Sequence, residues 1–312
     1  MNNNILEVKN LVKNYGNVVA VNDISFSVAQ GQLFAFLGRN GAGKSTTINI
    51  ICTTLSKTSG EILVDGLKLG RDDEKIRHNI GVVFQNGVLD NMLTVKENIL
   101  TRAAFYNLSS DTITKRLQSI ANLLSMNDFL NRPYGKLSGG QRRKADIARA
   151  VINQPKILFL DEPTTGLDPA TRVKVWEIID HLRKDEGMTI FLTTHYMEEA
   201  DRADNISIIN EGKIVVTGTP NQLKEKYSTD SLRIMSKNGK EKIEQVLNQL
   251  KLEYEFLVDQ YIIEIKDTMQ ALEILPKIKD YIKNFEVLKG NMDSVFLNVT
   301  GENLEDNYNG QS

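Results

Sequence analysis

Cysteine is almost missing from this chain, because Cys52 is the single cysteine among 312 residues. One cysteine excludes an internal disulfide and a zinc site built from cysteines. Cys52 falls on the apolar face of a predicted helix over residues 46–55, beside Ile48 and Ile51. We therefore interpret Cys52 as a small core residue and not as a redox group.

An excess of either charge is also missing, since 38 basic residues meet 40 acidic ones and the net charge is −2. This balance argues against nucleic acid as the main partner, because nucleic-acid-binding proteins usually carry a strongly basic surface. No apolar run approaches the 18 or so residues that span a bilayer. Residues 1–7 lack the basic and apolar regions of a signal peptide, so we expect a cytoplasmic protein.

What remains is an ordinary globular composition, 41% hydrophobic and 25% charged, in a chain long enough for one large and one smaller domain. Its most informative stretch is a glycine-rich run that we call the phosphate loop. The run fits G-x-x-x-x-G-K-[ST] and consists of Gly38, Arg39, Asn40, Gly41, Ala42, Gly43, Lys44, Ser45 and Thr46.

The surroundings of the phosphate loop are those that a nucleotide site requires. Residues 33–37 predict a buried strand before it, and residues 46–55 predict a helix after it. Glycines let backbone N–H groups close around an anion, and the helix N-terminus adds partial positive charge. The motif predicts that Lys44 reaches the β- and γ-phosphates and that the Ser45 hydroxyl binds Mg²⁺.

Polar side chains end three further apolar segments, which predict buried strands at residues 80–85, 156–163 and 189–195. The second ends in adjacent carboxylates, Asp161 and Glu162, which are costly inside a core. Their presence is explained if Asp161 binds a metal ion and Glu162 activates a water molecule. Gln85 is either a polar residue at the start of a loop or a side chain that binds magnesium or water. His195 also ends its strand, at the same edge of the sheet.

Two helix starts carry further signals. Ser138 is a natural N-cap, and the glycines after it, Gly139 and Gly140, expose backbone N–H groups, which predicts a second anion site. Asp168 caps a second helix, whose first residue is a proline.

Residues 93–132 predict a helical insertion in an α/β frame. Thr94 begins a capping box there, and Ser110 or Asp111 is predicted to cap the next helix.

Tyr15 lies in a predicted turn upstream of the phosphate loop. Position alone leaves two interpretations open, a ring that stacks on a nucleobase or a half-buried turn tyrosine.

Together these motifs resemble an ABC-type ATPase subunit, over residues 5–228. The resemblance implies an α/β P-loop NTPase core with an antiparallel β subdomain and a helical subdomain at about 86–136. The family signature is complete in residues 137–141, and Asp168 matches the D-loop. Arg39 departs from the proline that is commonest in the family, which implies only modest tuning of loop stiffness.

The resemblance also implies roles for the site. Two chains close head to tail, so that each ATP lies between one phosphate loop and the other chain's signature, here Ser138, Gly139, Gly140 and Gln141. The other implied roles are adenine stacking by Tyr15, Mg²⁺ binding by Ser45, Gln85 and Asp161, activation of water by Glu162, γ-phosphate contact by His195, and charge neutralisation by Lys44.

The remaining residues, 229–301, predict the order β-α-β-β-α-β, a ferredoxin-like α+β domain for regulation or dimerisation. Pro276 inside its second helix weakens or kinks that helix. Residues 293–301 resemble the ending of drug-exporter-type ABC ATPases related to daunorubicin-resistance ATPases. Residues 302–312 predict a flexible tail.

Two functions follow. The first is the ATPase of an exporter of drugs, lipids or other amphiphiles. In it the chain lies at the cytoplasmic face of the membrane, as a homodimer or a heterodimer with a related ATPase, and works with separate ABC-2 type permease subunits. The second is an ABC ATPase that acts on ribosomes or nucleic acid. We favour the first, because the sequence holds one phosphate loop and one signature and has neither a long coiled coil nor zinc cysteines between them.

Overall fold

The computed structural model describes residues 3–237 and 239–301, so the tail predicted for 302–312 lies outside the described residues. The chain forms two compact units, of which the first ends at Thr219 and the second begins at Pro220. The sequence places the domain boundary later, at residue 228. The difference is one helix, Pro220–Tyr227, whose Tyr227 carbonyl accepts a hydrogen bond from Asn298 of the second unit.

An antiparallel sheet carries the N-terminal part of the first unit, as predicted. Its strand order is β2-β1-β4-β5. Tyr15 and Val18 pair at the tip of the β1–β2 hairpin, and Asp65 and Gly66, both with positive φ, form the turn between β4 and β5. The strands are β1 (Asn4–Tyr15), β2 (Val18–Ala29), β4 (Ser59–Val64) and β5 (Leu67–Lys68).

A six-stranded sheet, ordered β10-β9-β3-β8-β7-β6, forms the centre of the first unit. All neighbouring strands are parallel except β9 and β10. Parallel strands are covered on both faces, which explains why β3, β7 and β8 are buried along their whole length. The strands are β3 (Leu33–Leu37), β6 (Ile80–Val83), β7 (Ile157–Asp161), β8 (Thr189–Thr194), β9 (Asn205–Asn210) and β10 (Lys213–Gly218).

Seven α-helices are described in the first unit. They are α1 (Lys44–Ile51), α2 (Asp73–Asn79), α3 (Val95–Ala103), α4 (Ser110–Leu123), α5 (Gly139–Val151), α6 (Pro169–Lys184) and α7 (Met197–Ala200). The capping box at Thr94 is confirmed. The predicted cap of α4 is wrong by one residue, because Ser109 has the extended backbone and its side chain accepts from the Thr112 N–H, whereas Ser110 is already helical.

The core beneath the phosphate loop is aromatic. The Phe191 ring lies 5.3–5.9 Å from the rings of Phe26, Phe34, Phe36 and Phe159. Offset aromatic rings at this spacing add to the stabilisation that burial provides. The strands that lead into the site are thus fixed by close packing.

Cys52 is buried in the core, as predicted.

The second unit has the predicted order, with a four-stranded sheet β12-β13-β11-β14 that is antiparallel throughout. Its elements are α8 (Pro220–Tyr227), β11 (Asp230–Ser236), α9 (Lys240–Gln249), β12 (Tyr254–Leu257), β13 (Gln260–Ile265), α10 (Gln270–Ile278), β14 (Ile282–Leu288) and α11 (Met292–Thr300). Helix α10 continues through Pro276. Among residues 3–237 and 239–301, no helix is long and apolar enough to cross a membrane.

Candidate nucleotide site

The phosphate loop links β3 to α1 and depends on glycine at two close approaches. A Cβ on Gly38 would lie 2.5 Å from the Ile209 carbonyl oxygen, and one on Gly43 would lie 2.6 Å from the Ala20 carbonyl oxygen. Gly43 also has φ of +108°, a conformation that side chains disfavour. The loop therefore lies tightly against the β2 and β9 backbones, and its shape depends on these two glycines.

Lys44 is almost fully buried, with 4% of its surface exposed. Its Nζ donates to the carbonyls of Gly38 at 2.7 Å and Arg39 at 3.0 Å, and lies 3.4 Å from Oε1 of Glu162. Burial lowers the pKa of Lys44, and the negative charges of Glu162 and Asp161 oppose that shift. The loop's own carbonyls thus hold the ammonium group beside the carboxylate that the sequence singled out.

Glu162 is the meeting point of the predicted catalytic side chains. Its Oε1 lies 3.2 Å from Nδ1 of His195. Its Oε2 accepts hydrogen bonds from Nε2 of Gln85 and from Oγ1 of Thr165, both at 3.1 Å. Lys44, Gln85, Glu162 and His195, here called the Glu162 cluster, come from four separate segments. What each does in turnover remains a prediction.

The pKa of Glu162 lies below its ordinary value. Burial by itself raises the pKa, but the nearby imidazole of His195 and the positive charge of Lys44 outweigh burial and lower it, with a contribution from the Thr165 hydroxyl. The side chain is therefore ionised near neutral pH. An ionised carboxylate in a hydrogen-bonded cluster is able to accept a proton from water.

Asp161 and Ser45 form a second pair beside the cluster. Asp161 is 5% exposed, and its Oδ1 accepts hydrogen bonds from Oγ of Ser45 at 3.2 Å and from Oγ1 of Thr193. Across the described ranges, no group of three or more His, Cys, Asp or Glu side chains is arranged to hold a metal ion. Nucleotide-bound Mg²⁺ uses only one or two protein groups besides phosphate oxygens and water, so this hydroxyl–carboxylate pair fits it. Gln85 contacts Glu162, and its place among the magnesium ligands remains a prediction.

The signature residues begin α5 as predicted. Ser138 caps the helix, since its Oγ accepts from the Gln141 N–H at 3.3 Å, and Oε1 of Gln141 accepts from the Ser138 N–H at 3.2 Å. A Cβ on Gly140 would lie 2.6 Å from Cγ2 of Thr171. The signature therefore packs against the start of α6, whereas the contacts of Glu162 lead to the phosphate loop and to the ends of β6 and β8.

Asp168 caps α6, because its Oδ1 accepts from the Thr171 N–H at 3.0 Å. Hydrogen bonds from the Thr171 hydroxyl and N–H lower the pKa of Asp168.

Tyr15 ends β1 and is 48% exposed, with Nζ of Lys13 4.9 Å from the centre of its ring. An exposed ring is compatible with stacking, which remains a prediction.

Several residues around the site were missed by the sequence interpretation. Glu199 is 2% exposed and accepts hydrogen bonds from the hydroxyls of Thr164 and Thr194. Thr194 directly precedes His195. Arg143 donates to four backbone carbonyls beside the Glu162 cluster. The available signal was a charged residue two positions after the signature and another four positions after His195. Apart from Thr194, their partners lie 18 to 59 positions away in the sequence.

Comparison with known proteins gives one consistent result. The family model described as ABC transporter matches residues 21–165. The chain is 33% identical over 310 residues to the daunorubicin/doxorubicin resistance ATP-binding protein DrrA of Streptomyces peucetius, covering 96% of this chain and 94% of that protein. It is 39% identical over 220 residues to the Nod factor export ATP-binding protein I of Ralstonia nicotianae, covering 70% of this chain and 68% of that one.

Solved structures agree with these relatives. The dimeric post-hydrolysis state of the ATP-binding cassette MJ0796, bound to ADP and Pi, superposes with a TM-score of 0.63 at 30% identity, covering 69% of this chain and 98% of that one. The cbiO1 protein from Clostridium perfringens, part of the transporter complex cbiONQ, superposes with a TM-score of 0.66 at 30% identity, covering 80% and 96% of the two chains.

Proposed function

The chain belongs to the ABC transporter family of ATP-binding proteins, and from that premise we propose that it powers export through separate membrane permease subunits. It binds ATP and is an ATPase. The observation that carries the proposal is the match to DrrA, which extends over 96% of the chain and so includes the second unit. Drugs, lipids and other amphiphiles are the proposed cargo class.

In the proposed mechanism, the phosphate loop binds the phosphates through its backbone N–H groups and Lys44. Glu162, kept ionised by His195 and Lys44, accepts a proton from the attacking water. His195 contacts the γ-phosphate, and Gln85 orients the water and the carboxylate. Ser45, Gln85 and Asp161 would hold Mg²⁺, which would neutralise charge on the phosphates when bound.

The proposed active unit is a dimer with two composite sites. Each chain contributes two anion-binding helix starts, the phosphate loop before α1 and the signature before α5. Ser138 and Gly139 of the signature are exposed at the start of α5, which supports a role toward ATP held by a second chain. The partner chain is either a second copy or a related ATPase.

Mixing two inactive variants tests the composite sites. Lys44→Ala damages the phosphate loop, and Ser138→Arg damages the signature. In the mixed dimer both lesions fall on one composite site, so the other site is intact and ATP hydrolysis should return on mixing. Hydrolysis that stays at the level of the separate variants at every mixing ratio, while sedimentation shows mixed dimers, would contradict the composite arrangement.

The proposed location is the cytoplasmic face of the membrane, on permease subunits of the ABC-2 type. Inside-out vesicles carrying the co-purified membrane subunit test the export role. ATP should drive uptake of a lipophilic fluorescent cargo with the wild-type chain and not with Glu162→Gln. If hydrolysis is normal but no cargo from a panel of drugs and lipids moves, the export proposal fails while the ATPase stands.

Action on ribosomes or nucleic acid is less favoured. Net charge is −2, and a nucleic-acid partner usually requires a basic surface. The relatives named for drug resistance and for Nod factor export also support transport. Co-sedimentation with ribosomes in the presence of ATP, by the Glu162→Gln chain, would reverse this preference.

The second unit is proposed to act in assembly or regulation and not in chemistry. The Glu162 cluster and the Ser45–Asp161 pair lie wholly in the first unit, which ends at Thr219. A chain cut after Thr219 should therefore bind ATP with unchanged affinity and lose dimer stability or transport. The cut is placed before α8 because Leu223 of this helix is 2% exposed. If α8 stayed without the rest of the second unit, this leucine would become exposed to solvent. If the cut chain folds but no longer binds ATP, this division is wrong.

A further inference from the structure

Arg143 is a buried cation that the mechanism above does not use. It lies in α5, two residues after the signature, and is 7% exposed. Burying a guanidinium is costly unless its N–H groups find acceptors. The acceptors of Arg143 are therefore informative about its role.

Those acceptors are four backbone carbonyls on two segments. Nη1 of Arg143 donates to the Phe84 carbonyl at 2.7 Å. Nε donates to the Pro163 carbonyl at 2.6 Å, and Nη2 donates to the carbonyls of Asp161 at 3.2 Å and Glu162 at 3.1 Å. One side chain thus ties together the chain just before Gln85 and the turn that carries Glu162.

The backbone at Glu162 needs such support. Glu162 has φ of +45°, a left-handed conformation that is uncommon for a residue with a side chain. A conformation of this kind persists only where the surrounding structure holds it. The carbonyl oxygens on both sides of Glu162 are held by Arg143.

We propose that Arg143 is a positioning residue that couples the start of α5 to the Glu162 cluster. When the signature contacts ATP held by a second chain, α5 shifts and Arg143 moves with it. Arg143 then pulls on the backbone carbonyls next to Gln85 and around Glu162, and so moves these two side chains. Each chain's hydrolytic site thereby responds to engagement of its own signature. The inference rests on the roles proposed above for Glu162 and Gln85.

The test is Arg143→Lys, which keeps the positive charge and loses the forked guanidinium group. A lysine has a single nitrogen and cannot reach four carbonyls on two segments. We expect kcat to fall at least about 10-fold, because a misplaced catalytic group loses rate steeply with distance. The Kd for ATP should stay within about 3-fold, because Arg143 touches no part of the phosphate loop through the hydrogen bonds above.

The chain offers a matched control in Arg149. It is a second buried arginine of α5, 9% exposed, and its Nη2 donates to the Val82 carbonyl, within β6. Both lysine variants should lower the melting temperature, Arg149→Lys by less because Nη2 of Arg149 donates to one carbonyl. Arg149→Lys should leave kcat within about 2-fold of wild type. A loss of kcat in Arg149→Lys as large as in Arg143→Lys would overturn the inference, since both effects would then reflect general loosening of α5.

A second variant covers the case in which Arg143→Lys does not fold. Arg143 lines a cavity of about 330 Å³ together with Gln85, Tyr134 and Asp146, so added ethylguanidinium has a route to the vacated space in Arg143→Ala. Ethylguanidinium at millimolar concentration should raise the kcat of Arg143→Ala several-fold and leave that of Arg149→Ala unchanged. No rescue in folded Arg143→Ala overturns the inference, and failure of both Arg143 variants to fold, while both Arg149 variants fold, assigns Arg143 to folding.

The two levels of proposal fail separately. If Glu162→Gln keeps turnover, the proposed hydrolytic site is wrong whatever Arg143→Lys does. If Glu162→Gln loses turnover and Arg143→Lys does not, only the coupling role of Arg143 fails.

Discussion

Replacing Glu162 by glutamine tests the centre of the proposed site with little change in shape. Every contact of the carboxylate comes from a group able to donate, namely Lys44, Gln85, Thr165 and His195. In Glu162→Gln the new amide oxygen still accepts from Lys44. The new NH₂ group faces Thr165, whose hydroxyl is able to accept, and Gln85, whose amide is able to turn. The variant should therefore fold and bind ATP.

The expected loss is in turnover. A positioned general base contributes about 100-fold to 10,000-fold, so kcat should fall by at least about 100-fold, which corresponds to about 2.7 kcal/mol in the activation free energy. Some stability is lost as well, because the buried ion pair with Lys44 disappears. That loss is limited, since Lys44 keeps the carbonyls of Gly38 and Arg39 as partners.

The assay is phosphate release at saturating ATP and Mg²⁺, paired with ATP binding by titration calorimetry. Glu198→Gln is the control, because this glutamate is 76% exposed and pairs with Arg172 at the surface. The control should keep turnover within about 2-fold of wild type. A Glu162→Gln chain that binds ATP and keeps more than a tenth of wild-type turnover would remove Glu162 from the role of base.

Three further outcomes are expected. Phe191→Ala should destabilise the first unit by about 3–5 kcal/mol in chemical denaturation, because it empties the centre of the aromatic cluster, whereas the exposed Val173→Ala should change it by less than about 0.5 kcal/mol. Thr94→Ala should cost about 1 kcal/mol through loss of the capping box, and Thr114→Ala, inside α4, should cost less in the same measurement. Burial raises the pKa of Cys52, so its thiol stays protonated as pH rises through 8. A disulfide reagent should therefore label Cys52 at pH 8 only after the chain unfolds. Rapid labelling of the native chain would contradict the burial of Cys52.

The sequence predicted those features that depend on a few adjacent residues. The phosphate loop lies between a strand and a helix as expected, and the caps at Thr94, Ser138 and Asp168 are all present. An N-cap is satisfied by a backbone N–H two or three residues later, so its signal is complete within one short stretch. The predicted cap of α4 is wrong by one residue because Ser109, Ser110 and Asp111 are all able to cap, so residue type alone does not say where the extended backbone ends.

The sequence could indicate that Gln85, Glu162 and His195 end their strands, but not which atoms meet. Their contacts depend on strand order in the central sheet, where β7 lies between β8 and β6. The same order places Thr193 against Asp161. Side chains that are separated by 30 to 120 positions become neighbours only when the sheet assembles.

The sequence by itself therefore determined which chemical groups the protein carries and the local structure that presents each one, because spacing along the chain fixes helix starts, glycine turns and strand ends. Tertiary structure alone decided the partners of the buried charges. Arg143 reaches carbonyls 18 to 59 positions away, and Glu199 joins Thr164, 35 positions earlier. A buried charge must find partners wherever the fold brings backbone or hydroxyl groups within hydrogen-bond distance, and that distance is a property of the assembled sheet and helices.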